Sequence, residues 1–277
     1  NKALQKDKRN VAFALTVLQR RLASSIRAVR KSLERRKKRL EDLLEKGEIT
    51  QEQGYIDEEA FEDLPEKERW KKEEELLEKL SSAETLEELR EEVHRLSDLV
   101  TLARQVEKLE TETKLNELKK LMDAEGLKGS DIKLLVFTEF RDTMDYLVEK
   151  LKNWGYSVTC IHGGMSLDAR IKAEGDFRHE TQIMVATEAA GEGINLQFCW
   201  LMVNYDIPWN PNRLEQRMGR VHRYGQEHEV HVYNMVAVDT REGRILDKLF
   251  DNNSNSYFYN LFLKTYFSHI KSKIYNT

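Results

Sequence analysis

Cysteine is scarce in this sequence of 277 residues, and no long apolar run occurs in it. The two cysteines, Cys160 and Cys199, each lie inside an apolar stretch without CxxC spacing. This argues against a disulfide framework or a zinc site and favours a reducing cytoplasm. No apolar run approaches the ~18 residues that a membrane span needs. We therefore expect a cytoplasmic protein without membrane contact. The chain begins with Asn1 rather than Met, which suggests a piece of a longer protein.

Proline is nearly absent from the first 128 residues, and no convincing strand pattern occurs there. Apolar residues recur instead at alternating steps of three and four, from Val11 to Leu33 and again from Leu86 to Val106. This spacing is typical of helices that pack along one stripe. Thr85 and Glu88 form a capping-box pattern at the start of the second series. We predict a helical arm over residues 1–128, with two long antiparallel helices and a shorter helical piece between them.

A large net charge is also missing, because 45 Lys and Arg stand against 49 Asp and Glu. The charge is nevertheless segregated: residues 20–39 hold ten basic residues against one acid, Glu34, whereas residues 57–92 are dominated by acids. Two explanations fit this pattern. The basic run could lie along a phosphate backbone. It could equally be a solvated helix face that pairs with the acidic helix beside it, which an antiparallel hairpin would bring within reach.

After Gly129 the pattern changes to short apolar runs that alternate with amphipathic segments. Such alternation predicts βαβ units and a parallel sheet over residues 129–250, with ligand sites at the carboxyl ends of the strands. Residues 251–277 fit neither pattern, and we treat them as a tail of unknown role. The predicted strands are Lys133–Phe140, Tyr156–His162, Gln182–Thr187, Trp200–Tyr205 and Val230–Val238, and the predicted helices cover about 142–153, 166–178 and 212–223.

Polar and glycine-rich segments follow the first three strands. VFTEFRDT (136–143) could hold a phosphate at a helix N-terminus, or it could be an ordinary strand-to-helix turn. IHGGMS (161–166) has paired glycines, which alone are a weak signal. VATEAAGEGINLQ (185–197) is a loop whose bare backbone could meet a ribose or a phosphate. It lacks the Gly-Lys-Ser/Thr of a Walker A loop.

The strongest segment is NPNRLEQRMGRVHRYGQ (210–226), in which Arg213, Arg217 and Arg220 recur at helical spacing and Arg223 follows. A basic surface helix is the plain interpretation. It is poorly supported, because Gly219 would weaken such a helix for no gain. Arginine supplies the fixed planar fork that stabilises charge on a γ-phosphate during phosphoryl transfer.

In this order, the four segments resemble motifs IV, IVa, V and VI of superfamily 2 helicases. The strings GEGINLQ and QRMGRVHRYGQ resemble the Swi/Snf-type branch, which includes bacterial RNA-polymerase-associated ATPases. The resemblance covers about residues 130–250. It implies a RecA-like parallel sheet flanked by helices, the C-terminal lobe of a helicase. The long α-helical hairpin arm before it is similar to an insertion of that branch.

The resemblance also implies roles for individual residues. Catalytic arginine fingers that reach the γ-phosphate of ATP would be Arg220 and Arg223. Positions that line the nucleotide would be Gly191, Glu192, Gly193, Asn195 and Gln216. Positions that touch DNA phosphates would be Thr138, Glu139, Phe140, Arg141, His162, Gly163 and Thr187.

The sequence contains no GxxxxGK[ST] and no DEAD- or DEAH-like acidic box. The ligands of the Mg²⁺ that accompanies ATP would therefore lie in a first lobe. We expect the second motor lobe of an ATP-dependent translocase, inactive as an ATPase by itself. Its expected partners are double-stranded DNA, its own N-terminal RecA-like lobe and, through the arm, proteins of a complex.

Two alternatives stay open. One is a lobe of an RNA helicase, although the last motif lacks the HRxGRxGR form. The other is a non-enzymatic interaction module on a RecA-like scaffold, although intact Arg220 and Arg223 argue against it.

Overall fold

The structure, a computed structural model, divides into two compact units, Asn1–Glu112 and Thr113–Thr277, which we call the helical unit and the sheet unit. None of the helices in the described part of the chain combines the length and the apolar character that a membrane crossing needs. The residues that the structure describes are 2–49, 61, 64–79, 81, 83–109, 112–188, 194–208, 210–222, 226 and 228–235.

The helical unit contains α1 (Lys2–Ser24), α2 (Ile26–Lys46), α3 (Glu66–Lys79) and α4 (Leu86–Lys108). The first apolar series, for which we predicted one long helix, is divided between α1 and α2 at Ser25. That residue is extended, and its hydroxyl accepts the N–H of Ala28 at 3.1 Å, as an N-cap does. At the start of α4, the predicted cap is confirmed, because the Thr85 hydroxyl accepts the N–H of Glu88 at 3.2 Å.

The basic run of residues 20–39 is largely occupied by ion pairs inside the helical unit. The Arg21 guanidinium donates to Glu73 at 3.1 Å, and the side chains of both residues are almost completely buried. These contacts support the second explanation of the run, a helix face neutralised by neighbouring helices. The pairs are Arg20 and Arg21 with Glu73, Arg27 and Arg30 with Glu107, Arg35 with Glu74, and Arg36 with Glu92.

The sheet unit is built on five parallel strands in the order β2-β3-β1-β4-β5. This confirms the predicted α/β fold with helices around a parallel sheet. In chain order, the elements are α5 (Thr113–Ala124), β1 (Leu134–Phe137), α6 (Arg141–Asn153), β2 (Val158–Ile161), α7 (Leu167–His179), β3 (Ile183–Ala186), β4 (Leu201–Asn204), α8 (Pro211–Met218) and β5 (His231–Asn234).

Two boundaries differ from the expected ones. We expected the arm to reach residue 128, but the units divide after Glu112, because Leu118 and Met122 of α5 are fully buried in the core of the sheet unit. The helix expected over 212–223 ends at Met218, where Gly219 is the C-cap. The predicted tail, 251–277, and the end of the last predicted strand, 236–238, lie outside the described residues.

The sheet is buried on both faces, as the uninterrupted apolar strands require. In β1, Leu135 and Phe137 face one apolar cluster, whereas Leu134 and Val136 face the other. Because all five strands run in the same direction, their carboxyl ends meet at one edge. The segments after β1, β2, β3 and β4 therefore lie side by side.

We predict that Glu73→Gln destabilises the helical unit by about 3 kcal/mol or more, because it removes a buried carboxylate that two buried guanidinium groups share. Urea unfolding followed by circular dichroism measures this loss. Glu91→Gln is the matched control. It removes an exposed partner of Arg95 at 3.4 Å and should cost less than about 0.5 kcal/mol. Equal losses in the two variants would show that the buried cluster contributes no special stability.

Candidate functional site

A buried carboxylate holds the turn after β1 in place through hydrogen bonds. Thr138 and Glu139 are buried, and the Thr138 hydroxyl and the Glu139 backbone N–H both donate to Oδ2 of Asp206, the latter at 3.3 Å. Arg141 is exposed at the first position of α6, and Phe140 caps that helix without a side-chain hydrogen bond. Of the four residues predicted to touch phosphate here, the Arg141 side chain is thus the one on the surface.

Asp206 is completely buried and binds groups from several segments of the sheet unit. Besides the two donors after β1, Nζ of Lys114 on α5 lies 3.0 Å from its Oδ1. The backbone carbonyl of Asp206 accepts from Nη1 of Arg217 at 2.8 Å. Asp206 is not among the residues predicted from the sequence. The available signal was its position directly after an apolar strand, at the edge where polar residues gather.

Two of the arginines at helical spacing hold α8 against the sheet. Arg217 is buried, donates also to Oδ1 of Asn204 at 3.4 Å, and its guanidinium carbon lies 5.2 Å from the centroid of the Phe137 ring. Arg213 donates to both carboxylate oxygens of Glu188, at 2.8 and 3.0 Å. These bonds lie within the sheet unit and hold α8 against the sheet.

The predicted finger Arg220 lies on the turn that follows α8. Its backbone N–H donates to the carbonyl of Arg217 at 3.1 Å, and the residue is half-buried. Gln216 is exposed on the last turn of the helix. Arg223, the second predicted finger, lies outside the described residues.

His162 after β2 is part of a local turn. Its Nδ1 accepts the backbone N–H of Gly164 at 3.1 Å, and Arg170 donates to the carbonyl of Gly163 at 3.4 Å. A Cβ at Gly164 would lie 3.1 Å from the same Nδ1, which explains a glycine at that position. Burial and the nearby Arg141 and Arg170 guanidinium groups lower the pKa of His162, against an opposing effect of Asp145. The imidazole is therefore neutral at pH 7.

After β3, Thr187 is fully buried, and its backbone N–H donates to the carbonyl of Ile161 at 3.0 Å. Its hydroxyl has no hydrogen-bond partner among the described residues. Asn195 is exposed, and its side chain closes a local turn with Gln197, whose N–H it accepts at 3.1 Å. The three intervening positions predicted to line the nucleotide, Gly191, Glu192 and Gly193, lie outside the described residues.

Gln226, the last residue of the RYGQ string, has a structural role that the sequence did not reveal. Its amide nitrogen lies within hydrogen-bond distance of the carbonyls of Gln197 (2.8 Å), Val221 (3.1 Å) and Cys199 (3.4 Å). The side chain therefore ties the segment after α8 to the chain entering β4. A glutamine after a glycine gives no sequence signal for such a contact.

The described residues contain no group of three or more His, Cys, Asp or Glu side chains placed to hold a metal ion. The carboxyl edge of the sheet carries exposed Arg141, half-buried Arg220 and the first turn of α6. These groups suit the binding of anions.

We predict that Arg141→Gln raises the pKa of His162, because it removes a neighbouring positive charge. The imidazole C–H shift, followed by NMR as a function of pH, gives the midpoint. Lys172→Gln on α7 should leave that midpoint unchanged. An identical midpoint in parent and Arg141→Gln would contradict the electrostatic coupling.

The folded state binds the His162 proton less readily than the unfolded chain, so His162 contributes to a loss of stability as the pH falls below about 6.5.

Comparison with known proteins finds a family and several relatives that are similar to the sheet unit. The family "Helicase conserved C-terminal domain" matches residues 113–225, so its first residue coincides with the start of that unit. "Uncharacterized ATP-dependent helicase YqhH" of Bacillus subtilis (strain 168) is 47% identical over 133 residues, which make up 48% of this chain and 24% of that protein.

Two further relatives match over a similar stretch. "RNA polymerase-associated protein RapA" of Vibrio campbellii (strain ATCC BAA-1116) is 36% identical over 134 residues, 47% of this chain and 14% of that protein. "ATP-dependent DNA helicase DDM1" of Arabidopsis thaliana is 33% identical over 128 residues, 45% of this chain and 17% of that protein. The aligned part thus spans a quarter or less of the length of these relatives. Over residues 113–225 the sheet unit is similar to the family of helicase conserved C-terminal domains, and the predicted resemblance to superfamily 2 ATPases of the Swi/Snf and RNA-polymerase-associated type is confirmed.

Proposed function

We propose that this chain is the second motor lobe of an ATP-dependent double-stranded DNA translocase. The observation that carries the proposal is the arrangement of arginines along α8. Arg213 and Arg217 fix the helix to the sheet through Glu188, Asn204 and the backbone of Asp206, and Arg220 lies on the turn just beyond. A rigid helix that ends in an arginine-bearing turn suits delivery of a guanidinium to a phosphate outside the lobe.

In the proposed mechanism, Arg220 and Arg223 would stabilise charge on the γ-phosphate of ATP, which is bound with Mg²⁺ mainly by the first RecA-like lobe. Gln216, Asn195 and the Gly191–Gly193 segment would line the near side of the nucleotide. Closure of the two lobes on ATP and their release after hydrolysis would advance the lobe along DNA. By itself this chain would bind ATP weakly and would not hydrolyse it.

The DNA contacts would lie at the neighbouring strand ends. Thr138 and Glu139 are tied to Asp206, so we assign the direct phosphate contact of this turn to the Arg141 side chain and the first N–H groups of α6. His162, Gly163 and Thr187 follow the next two strands of the sheet at the same edge. Such backbone contacts do not depend on base sequence, as a motor that steps along any DNA requires. The relative named as a DNA helicase supports DNA as the track.

The helical unit would be the family insertion that accompanies this lobe, and it could carry contacts to other proteins. Its basic run is largely committed to internal glutamates, so we do not assign it a role on DNA. We propose a cytoplasmic location, at the nucleoid in a prokaryote.

We predict that Arg220→Ala in the intact protein, with both motor lobes present, lowers ATP turnover by about three orders of magnitude, as removal of an arginine finger does. Turnover at saturating ATP and DNA is the measurement. Lys172→Ala, an exposed cation on α7, is the matched control and should retain parental turnover. A melting temperature equal to that of the parent shows that folding is intact. Parental turnover in Arg220→Ala would exclude the finger role.

The choice of track is tested separately. We expect duplex DNA to stimulate ATP turnover of the intact protein and duplex or single-stranded RNA of equal length not to do so. The stimulation should weaken as salt rises, because phosphate contacts release counterions. Stimulation by RNA alone would favour the alternative, a lobe of an RNA helicase, and no turnover with either polymer would favour an interaction module.

A further inference from the structure

We infer that Asp206 is a positioning residue that couples the DNA-contacting turn after β1 to the arginine-bearing turn after α8. The inference rests on the proposed function and adds to it a residue outside the sequence motifs that suggested it. Asp206 touches neither ligand in this scheme. It lies in the interior and holds both turns at once.

The side chain of Asp206 fixes the first turn. Its Oδ2 accepts the Thr138 hydroxyl and the Glu139 N–H, and its Oδ1 lies 3.0 Å from Nζ of Lys114. The Asp206 side chain has no exposed surface and that of Lys114 is only 13% exposed, so these bonds are largely shielded from water. The turn that carries Arg141 is therefore fixed to β4 by one carboxylate.

The backbone of the same residue fixes the second turn. The Asp206 carbonyl accepts from Nη1 of Arg217, and the Arg217 carbonyl accepts the N–H of Arg220 at 3.1 Å. A shift of the β1 turn when a phosphate binds at Arg141 would move the Asp206 side chain. Its peptide group, and with it Arg217 and the Arg220 turn, would follow. Three successive contacts thus connect the DNA side of the edge to the ATP side.

A residue that only stabilised the lobe would make the same contacts. The two roles differ in whether restoring the stability of the lobe also restores the coupling. Asp206→Leu removes every side-chain acceptor and takes the Asp206 carboxylate away from the part-buried Lys114 ammonium, which should destabilise the lobe. Adding Lys114→Met replaces the part-buried ion pair by two apolar side chains, a change that is often neutral for stability when such a pair is shielded from water. The double variant regains stability, yet the donors at Thr138 and Glu139 still lack their acceptor. Coupling should therefore stay lost.

The experiment measures ATP turnover of the intact protein without DNA and at saturating duplex DNA, together with the melting temperature. In Asp206→Leu, we expect the ratio of DNA-saturated to DNA-free turnover to fall at least about tenfold, since a misplacement of about 1 Å can cost as much as about a hundredfold. The double variant should recover most of the melting temperature and show the same low ratio. If Asp206→Leu fails to fold, the ratio in the double variant decides alone.

Gln182→Met is the matched stability control. The Gln182 amide nitrogen donates within 2.6–3.1 Å of three carbonyls, those of Leu127, Ser130 and Ile132, at the amino edge of the sheet and so away from both turns. The variant Gln182→Met should lower the melting temperature and keep the parental ratio of DNA-saturated to DNA-free turnover. A parental ratio in the double variant, or a fall no larger than in Gln182→Met, would overturn the coupling role. Failure of the proposed function is distinguishable, because it appears as parental turnover in Arg220→Ala.

Discussion

The buried carboxylate of Asp206 is the contact on which the carboxyl edge of the sheet depends. A parallel sheet brings the polar ends of its strands together at one edge, where donors must be satisfied without water. Here the Asp206 side chain accepts from Lys114, Thr138 and the Glu139 backbone, and the backbone carbonyl of Asp206 accepts from Arg217. Three segments distant in sequence therefore converge on a single residue. Loss of one partner would leave a charge or a donor buried without compensation.

Arginine serves different purposes in the two units, which explains why its number alone said little. In the helical unit, the basic run neutralises glutamates on neighbouring helices, so the net charge of the chain stays small although its local density is high. In the sheet unit, Arg213 and Arg217 fix the position of α8. Spacing cannot distinguish these uses, since each follows from the position of an acid or a carbonyl in space.

The sequence predicted the parallel sheet, its strands and the capping box at Thr85 because these features depend on local periodicity and on short-range hydrogen bonds. It did not predict the break at Ser25, because the apolar stripe continues through it and only the cap hydrogen bond interrupts the helix. The place of α5 was also missed. Its apolar residues continue the pattern of α4, and only their burial beside β1 assigns them to the sheet unit.

In the candidate site, the motifs located the strand ends but not the residues that support them. Asp206, Lys114 and Gln226 each bind at least one group that lies 29 to 92 positions away in the chain, which no local pattern marks. Some side chains of the motifs form hydrogen bonds within the lobe. The Thr138 hydroxyl donates to the Asp206 carboxylate, and the His162 ring accepts the backbone N–H of Gly164. A residue can thus belong to a nucleic-acid motif while its side chain supports the fold.

In the proposed function, the lobe would approach its nucleotide from outside, and these internal contacts would then matter for catalysis. Electrostatic stabilisation of a transition state is effective when the charged group needs little reorganisation at the moment of reaction. The bonds of Arg213 to Glu188 and of Arg217 to Asn204 and Asp206 are made within the lobe. They fix α8 without help from ATP. Since Gly219 ends the helix, Arg220 lies on a short turn beyond it. In the proposed function, movement of the whole lobe would bring Arg220 to the nucleotide without refolding of this turn.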